Sequence, residues 1–284
     1  MAGAIADGAP AGGRDALSAV TGIAQRSVTV WQGRVPFRVH TKGQGPAVIF
    51  FDGPWGLHWS AFLDALATRF SVFAPEHPGT TPGEPDAVRH VDGLWDLVLC
   101  YDELLDRLQL QDVMLVGHSF GAMVACEMAA LRPSRVRRLA LIDPIGLWRD
   151  DAPVTNWMLL APQDLPAYVF REANGAAAKA LFSTPENVDE AALARTNLIW
   201  AMGSTGKFIW PIPDKGLRKR IHRVEAPALL VWGEDDRLVP FVYAEEFARR
   251  LPRARVEVVK GAGHAPHLEQ PESVASLVQP FLTG

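Results

Sequence analysis

Six short runs, almost wholly apolar, recur along this chain at 47–51, 72–74, 113–116, 139–142, 229–232 and 256–259. A half-exposed strand alternates apolar with polar residues. A run apolar at every position belongs to a sheet covered on both faces, which is the habit of parallel sheets. Helical patterns fall between these runs, at 59–68, 94–108, 122–131 and 242–250. The alternation predicts an α/β fold with a mostly parallel, doubly wound sheet and right-handed crossovers. Ahead of it, alternation in Ser27-Val28-Thr29-Val30-Trp31 and Val35-Pro36-Phe37-Arg38-Val39-His40 predicts a hairpin turning near Gln32-Gly33.

The rhythm breaks once. Residues 144–220 show no buried strand, fall between two core strands and hold Trp148, Trp157, Trp200 and Trp210, four of the nine tryptophans. The expected organisation is a core of residues 27–143 and 221–284, an inserted helical cap of residues 144–220, and a flexible N-terminal arm of residues 1–26. With 48% hydrophobic and 21% charged residues the chain can bury a large core.

A net charge of 28 − 32 = −4 offers nothing to a polyanion, so no nucleic-acid partner is expected. The one basic cluster, at 215–223, reads as a solvated helical face. Cys100 and Cys126 are too few for a disulfide framework and read as reduced core residues. No run approaches the roughly 18 apolar residues of a membrane span, and no basic-then-apolar leader opens the chain. The expectation is a cytoplasmic protein with a small-molecule substrate; a homo-oligomer stays open.

The most informative stretch is Gly117-His118-Ser119-Phe120-Gly121, set between the run at 113–116 and the helix at 122–131. It matches the G-x-S-x-G elbow, a strand-to-helix turn so sharp that its flanking positions must be small. The turn lifts Ser119 clear of the sheet edge and points the Phe120 N–H toward developing negative charge. A serine hydroxyl is a weak nucleophile until a base takes its proton and a carboxylate orients that base. Candidates follow the last two strands: Gly233-Glu234-Asp235-Asp236 and Gly261-Ala262-Gly263-His264. Both segments leave carboxyl ends of core strands, where open α/β sheets build their sites.

From about residue 27 onward these features resemble the α/β-hydrolase superfamily. Its Trp-Gly-x-x-Asp and Gly-x-Gly-His patterns map onto Asp236 and His264, which implies a catalytic triad of Ser119, His264 and Asp236. Glu234 and Asp235 are then surface carboxylates. Asp143, which follows the run at 139–142 where some relatives carry a relocated acid, reads as the start of the insertion. His267 and His118 read as structural.

The oxyanion side departs from the family pattern. Relatives carry His-Gly after the strand at 47–51, whereas here the segment is Asp52-Gly53-Pro54-Trp55-Gly56. Pro54 has no N–H to give, so the oxyanion hole is expected from Phe120 and Trp55. A carboxylate roughly 4 Å from an oxyanion would oppose it by about 4 kcal/mol at an effective dielectric near 20, so Asp52 is expected to bond neighbouring backbone instead. Glu76 and His77 read as structural hydrogen-bonders. No metal-ligand spacing and no phosphate loop occurs, so neither a metal nor a cofactor is expected.

The cap is rich in aromatic residues, and Trp55, Phe120, Trp148 and Trp157 are the expected substrate contacts. The predicted activity is hydrolysis of a carboxylic ester of a small to medium apolar or aromatic substrate through an acyl-enzyme on Ser119. Two alternatives keep the fold: carbon–carbon bond hydrolysis of a vinylogous diketone, and a low-turnover hydrolase-like binding protein.

Overall fold

The computed structural model describes residues 22–182 and 184–284. The expected arm at 1–26 lies outside the described residues up to residue 21. Its last three residues belong to the sheet, because β1 spans Ala24–Val30. Their polar pattern hid them, since β1 is an edge strand exposed along most of its length. The chain turns through Trp31, Gln32 and Gly33, all at positive φ, into β2 (Val35–Lys42).

There follow β3 (Ala47–Phe51), α1 (Ala61–Ala67), β4 (Ser71–Pro75), α2 (Leu94–Arg107), β5 (Val113–His118), α3 (Ser119–Leu131) and β6 (Val136–Ile142). Between β6 and the next strand lie α4 (Leu165–Val169), α5 (Ala176–Phe182), α6 (Val188–Gly206) and α7 (Leu217–Arg220). The chain ends with β7 (Ala228–Gly233), α8 (Val242–Arg250), β8 (Ala254–Val259), α9 (Pro266–Glu269) and α10 (Pro271–Thr283).

The eight strands among the described residues form one sheet in the order β1-β2-β4-β3-β5-β6-β7-β8. β2 is antiparallel to β1 and β4, and all other pairs are parallel. From β3 the chain moves one way to β4 and then returns to the other side for β5. That reversal opens a crevice beyond the carboxyl ends of β3 and β5.

Side chains of the central strands enter two cores by turns. Ile49, Leu115, Leu139, Leu141, Leu230 and Trp232 meet Tyr101, Ala125 and Phe247 of α2, α3 and α8 on one face. Val48, Phe50, Val116, Ile142, Leu229 and Val231 meet Phe62 and Leu66 of α1 and Val278 of α10 on the other. Helices on both faces are why these runs are apolar throughout.

Two expectations need correction. The run at 256–259 lies on β8, an edge strand rather than a covered one, and Val258 is 43% exposed. Leu217, Ile221 and Val224, in and just after α7, are buried in the cluster that includes α3. Nor is the basic cluster simply solvated, because Arg220 forms a two-pronged bond to the fully buried Glu127 of α3, at 2.8 and 2.6 Å. Cys100 and Cys126 are buried free thiols, and burial pushes the Cys100 thiol up to about 12. No helix among the described residues is long and apolar enough to cross a membrane.

Candidate active site

β5 ends at His118 and α3 begins at Ser119 with no residue between them. The turn forces Ser119 to a φ of 52°, a left-handed conformation unusual for a residue with a side chain. It also demands glycine on both flanks. A Cβ on Gly117 would stand 2.6 Å from the Ala122 Cα, and one on Gly121 would stand 2.1 Å from the Phe51 carbonyl oxygen. Gly121 is therefore required by the end of β3, not only by the other arm of its own turn.

The loops after β7 and β8 bring Asp236 and His264 to this serine. The Ser119 hydroxyl donates to His264 Nε2 at 2.8 Å, and His264 Nδ1–H donates to Asp236 Oδ2 at 2.8 Å. Asp236 Oδ1 accepts the N–H groups of Leu238 and Val239 at 2.8 and 2.9 Å. Ser119 and His264 are both 0% exposed. Such a line can pass a proton from a hydroxyl to an imidazole whose opposite edge faces a carboxylate. Glu269 secures the His264 loop by accepting from the N–H of Gly263 and of Arg171, a clamp that the sequence reading did not weigh.

Asp143 lies directly beyond β6, and its carboxyl joins Asp236 and His264, with polar atoms of the three mutually within 4.8 Å. It is fully buried, and burial together with the Asp236 charge pushes its carboxyl well above the usual carboxylate range. Glu234 and Asp235 stay outside this group. Glu234 accepts from the Gly261 N–H, and Asp235 pairs with the half-exposed Arg171.

On the β3 side, Asp52 accepts from the N–H groups of Gly53 and His58 at 2.7 and 3.0 Å, so its carboxylate is bonded to neighbouring backbone. His77 Nε2–H donates to the Asp52 carbonyl while its Nδ1 receives the Tyr101 hydroxyl. Glu76 bonds His40 at 2.7 Å. His118 Nε2–H donates to the His264 carbonyl at 2.8 Å, fixing the backbone that carries the imidazole. His267 packs against His118 with ring centroids 4.4 Å apart, and burial holds His77, His118 and His267 below the usual imidazole value. Asp52, His118 and His267 also converge within 4.8 Å. Both Asp52 oxygens accept backbone N–H groups, and His118 keeps Nδ1 3.8 Å from Asp52 Oδ1 while its Nε2–H is committed to the His264 carbonyl.

The expected aromatic contacts fall into linked pairs. Trp55 meets Trp157 and Phe182 edge to face at 5.9 and 5.7 Å, and Phe120 stacks on Phe208 at 6.2 Å. Trp148 and Trp157 border one small cavity, and the Trp148 indole N–H is bonded to Asp150. Phe182 was not foreseen. The 52–56 loop is tied to α6 where Thr205 donates to the Pro54 carbonyl at 3.4 Å. Beyond Trp55 opens a cavity of about 310 Å³ bordered by Arg38, Glu76, Thr80 and Asn197.

A sequence profile described as the alpha/beta hydrolase family matches residues 43–277. A pimeloyl-[acyl-carrier protein] methyl ester esterase of Aromatoleum aromaticum is 29% identical over 259 residues, covering 84% of this chain and 99% of that protein. Among solved structures, a bacterial membrane phospholipase A superposes with a TM-score of 0.76 at 23% identity, covering 95% of this chain and 89% of that one. A 2-hydroxy-6-oxo-6-phenylhexa-2,4-dienoate hydrolase from Rhodococcus does so with a TM-score of 0.67 at 18% identity, covering 92% and 99%. At those identities the structural likenesses speak for the fold alone.

Proposed function

The chain belongs to the alpha/beta hydrolase family, and on that premise we propose that it is a serine hydrolase cleaving carboxylic esters of small to medium apolar or aromatic substrates. The observation that carries the reading is the unbroken line from the Ser119 hydroxyl through His264 to Asp236, with both links at 2.8 Å. Ser119 Oγ attacks the ester carbonyl as His264 Nε2 takes its proton. His264 then returns that proton to the departing alcohol, leaving an acyl group on Ser119. Water, activated by the same imidazole, releases the acid. Asp236 keeps the imidazole in the tautomer that presents Nε2 to the serine. The Phe120 N–H, at the first turn of α3, and the Trp55 N–H hold the oxyanion.

Residues 144–220 act as the cap in this reading. Its aromatic groups Trp157, Phe182 and Phe208, with Trp55 and Phe120, favour an apolar acyl or alcohol portion. The 29% identity to an esterase supports the choice of ester over other bonds.

The test is labelling with a fluorophosphonate probe, followed by a panel of p-nitrophenyl esters of increasing acyl length. The wild-type protein should label and Ser119→Ala should not. Unchanged turnover in Ser119→Ala would reject the mechanism, and preference for strongly anionic esters would reject the substrate class. A vinylogous diketone in the same panel separates ester from carbon–carbon hydrolysis.

A further inference from the structure

Asp143 has a carboxyl that the mechanism above does not use. It sits at the end of β6 with a φ of 43°, and its N–H donates to the Val231 carbonyl at 3.0 Å. Its Oδ1 accepts the Gly233 N–H at 3.0 Å. Strand pairing between β6 and β7 thus fixes both its backbone and one carboxyl oxygen. The other oxygen, Oδ2, is buried with no donor bonded to it among the described residues. The titratable groups facing it are Asp236 and His264, from the loops after β7 and β8, and Glu269 of α9.

Two carboxyls side by side out of water do not both ionise, and the one accepting more hydrogen bonds keeps the charge. Asp236 accepts three, from Leu238, Val239 and His264. Asp143 accepts one from a donor N–H, that of Gly233. The charge therefore belongs to Asp236 and the proton to Asp143.

We propose that Asp143 is a positioning residue for Asp236: it keeps a proton on Oδ2 at neutral pH and donates it in a hydrogen bond to the Asp236 carboxylate. The inference rests on the reading of Ser119, His264 and Asp236 as the reacting line. A donor on its far side tempers the basicity of Asp236, so the shared proton stays on His264 Nδ1 while the carboxylate keeps its aim. The three groups carry one negative charge rather than two.

Infrared spectroscopy of the free protein tests the proton directly. At pH 7 the wild-type protein should show the carbonyl stretch of a protonated carboxyl that Asp143→Asn lacks. The second measurement is the pH profile of kcat/KM. In Asp143→Leu, which cannot donate, Asp236 becomes more basic and His264 holds its proton to higher pH, so the acidic limb should move up by about one pH unit. Asp143→Asn, whose amide still donates, should restore the limb to its wild-type position, which a purely packing role would not do.

A protonated-carboxyl band that persists unchanged in Asp143→Asn overturns the proposal, as does an unmoved limb in Asp143→Leu. If Asp143→Leu does not fold, the infrared comparison still decides. Failure of Ser119 to take the fluorophosphonate label would instead strike the reading on which the inference rests, and the infrared band would still report on Asp143.

Discussion

The loops at the carboxyl end of the sheet and the helices between β6 and β7 are held by different means. In the loops, the polar side chains that meet are fixed by strand register and by hydrogen bonds to backbone. Asp236 is held by two N–H groups, Asp52 by two and Asp143 by one. The inserted segment joins short helices, α4 of five residues and α7 of four, to α6 of nineteen, and Trp157 and Phe182 meet the core loop at Trp55 edge to face. Apolar side chains there also face water, Leu159 at 72% and Val188 at 80% exposure. In the proposed mechanism, geometry needed within fractions of an ångström would thus rest on the hydrogen-bonded loops, and shape selection would fall to the part whose packing is more permissive.

Substitutions can break or sharpen that contrast. The largest expected effect is at the loops: Ser119→Ala should lower kcat on the order of 10⁶-fold, and Asp236→Asn on the order of 10⁴-fold, read from initial rates on the preferred ester. Where the inserted segment returns to the core, Arg220→Ala should cost roughly 3–5 kcal/mol in urea unfolding, because it leaves the buried Glu127 charge without its partner. Within the insertion, Trp157→Phe should redistribute kcat/KM among esters of different length by about tenfold, the scale of a small change in an apolar pocket.

Stability should also fall with acid. His77, His118 and His267 are buried with values below the ordinary imidazole range, so the unfolded chain binds more protons than the native one as pH drops. Their contribution is complete above the unfolded value of about 6.5 and is lost progressively below it. Urea midpoints at pH 8 and pH 5 should differ in that direction, and replacing His267 with glutamine should flatten the slope. The smallest effect is expected on the exposed insertion surface, where Val188→Lys should change stability by no more than about 0.5 kcal/mol.

The strands and the elbow were legible because a doubly covered sheet leaves an unbroken apolar signature, and because Gly117 and Gly121 answer to clashes that no other residue avoids. Ser119, Asp236 and His264 could be chosen because each follows a strand end in a distinctive local pattern. Asp143 was set aside since its importance comes from β6 lying beside β7, a neighbour relation that local pattern does not carry. The Arg220 to Glu127 bond spans 93 positions and looked like surface charge for the same reason. The helix Pro271–Thr283 escaped notice because Pro280 reads as a helix breaker, although the apolar stripe of Val274, Val278 and Leu282 runs past it. In the insertion, exposed apolar residues blur the periodicity that would have marked each helix.

The complete enclosure of Ser119 and His264 has a kinetic corollary. A reagent can reach the hydroxyl only while the protein breathes, so inactivation by a small phosphonate should level off as its concentration rises, at the frequency of that opening. Added viscogen should lower the plateau, and the ceiling on turnover would then belong to the doorway rather than to bond cleavage.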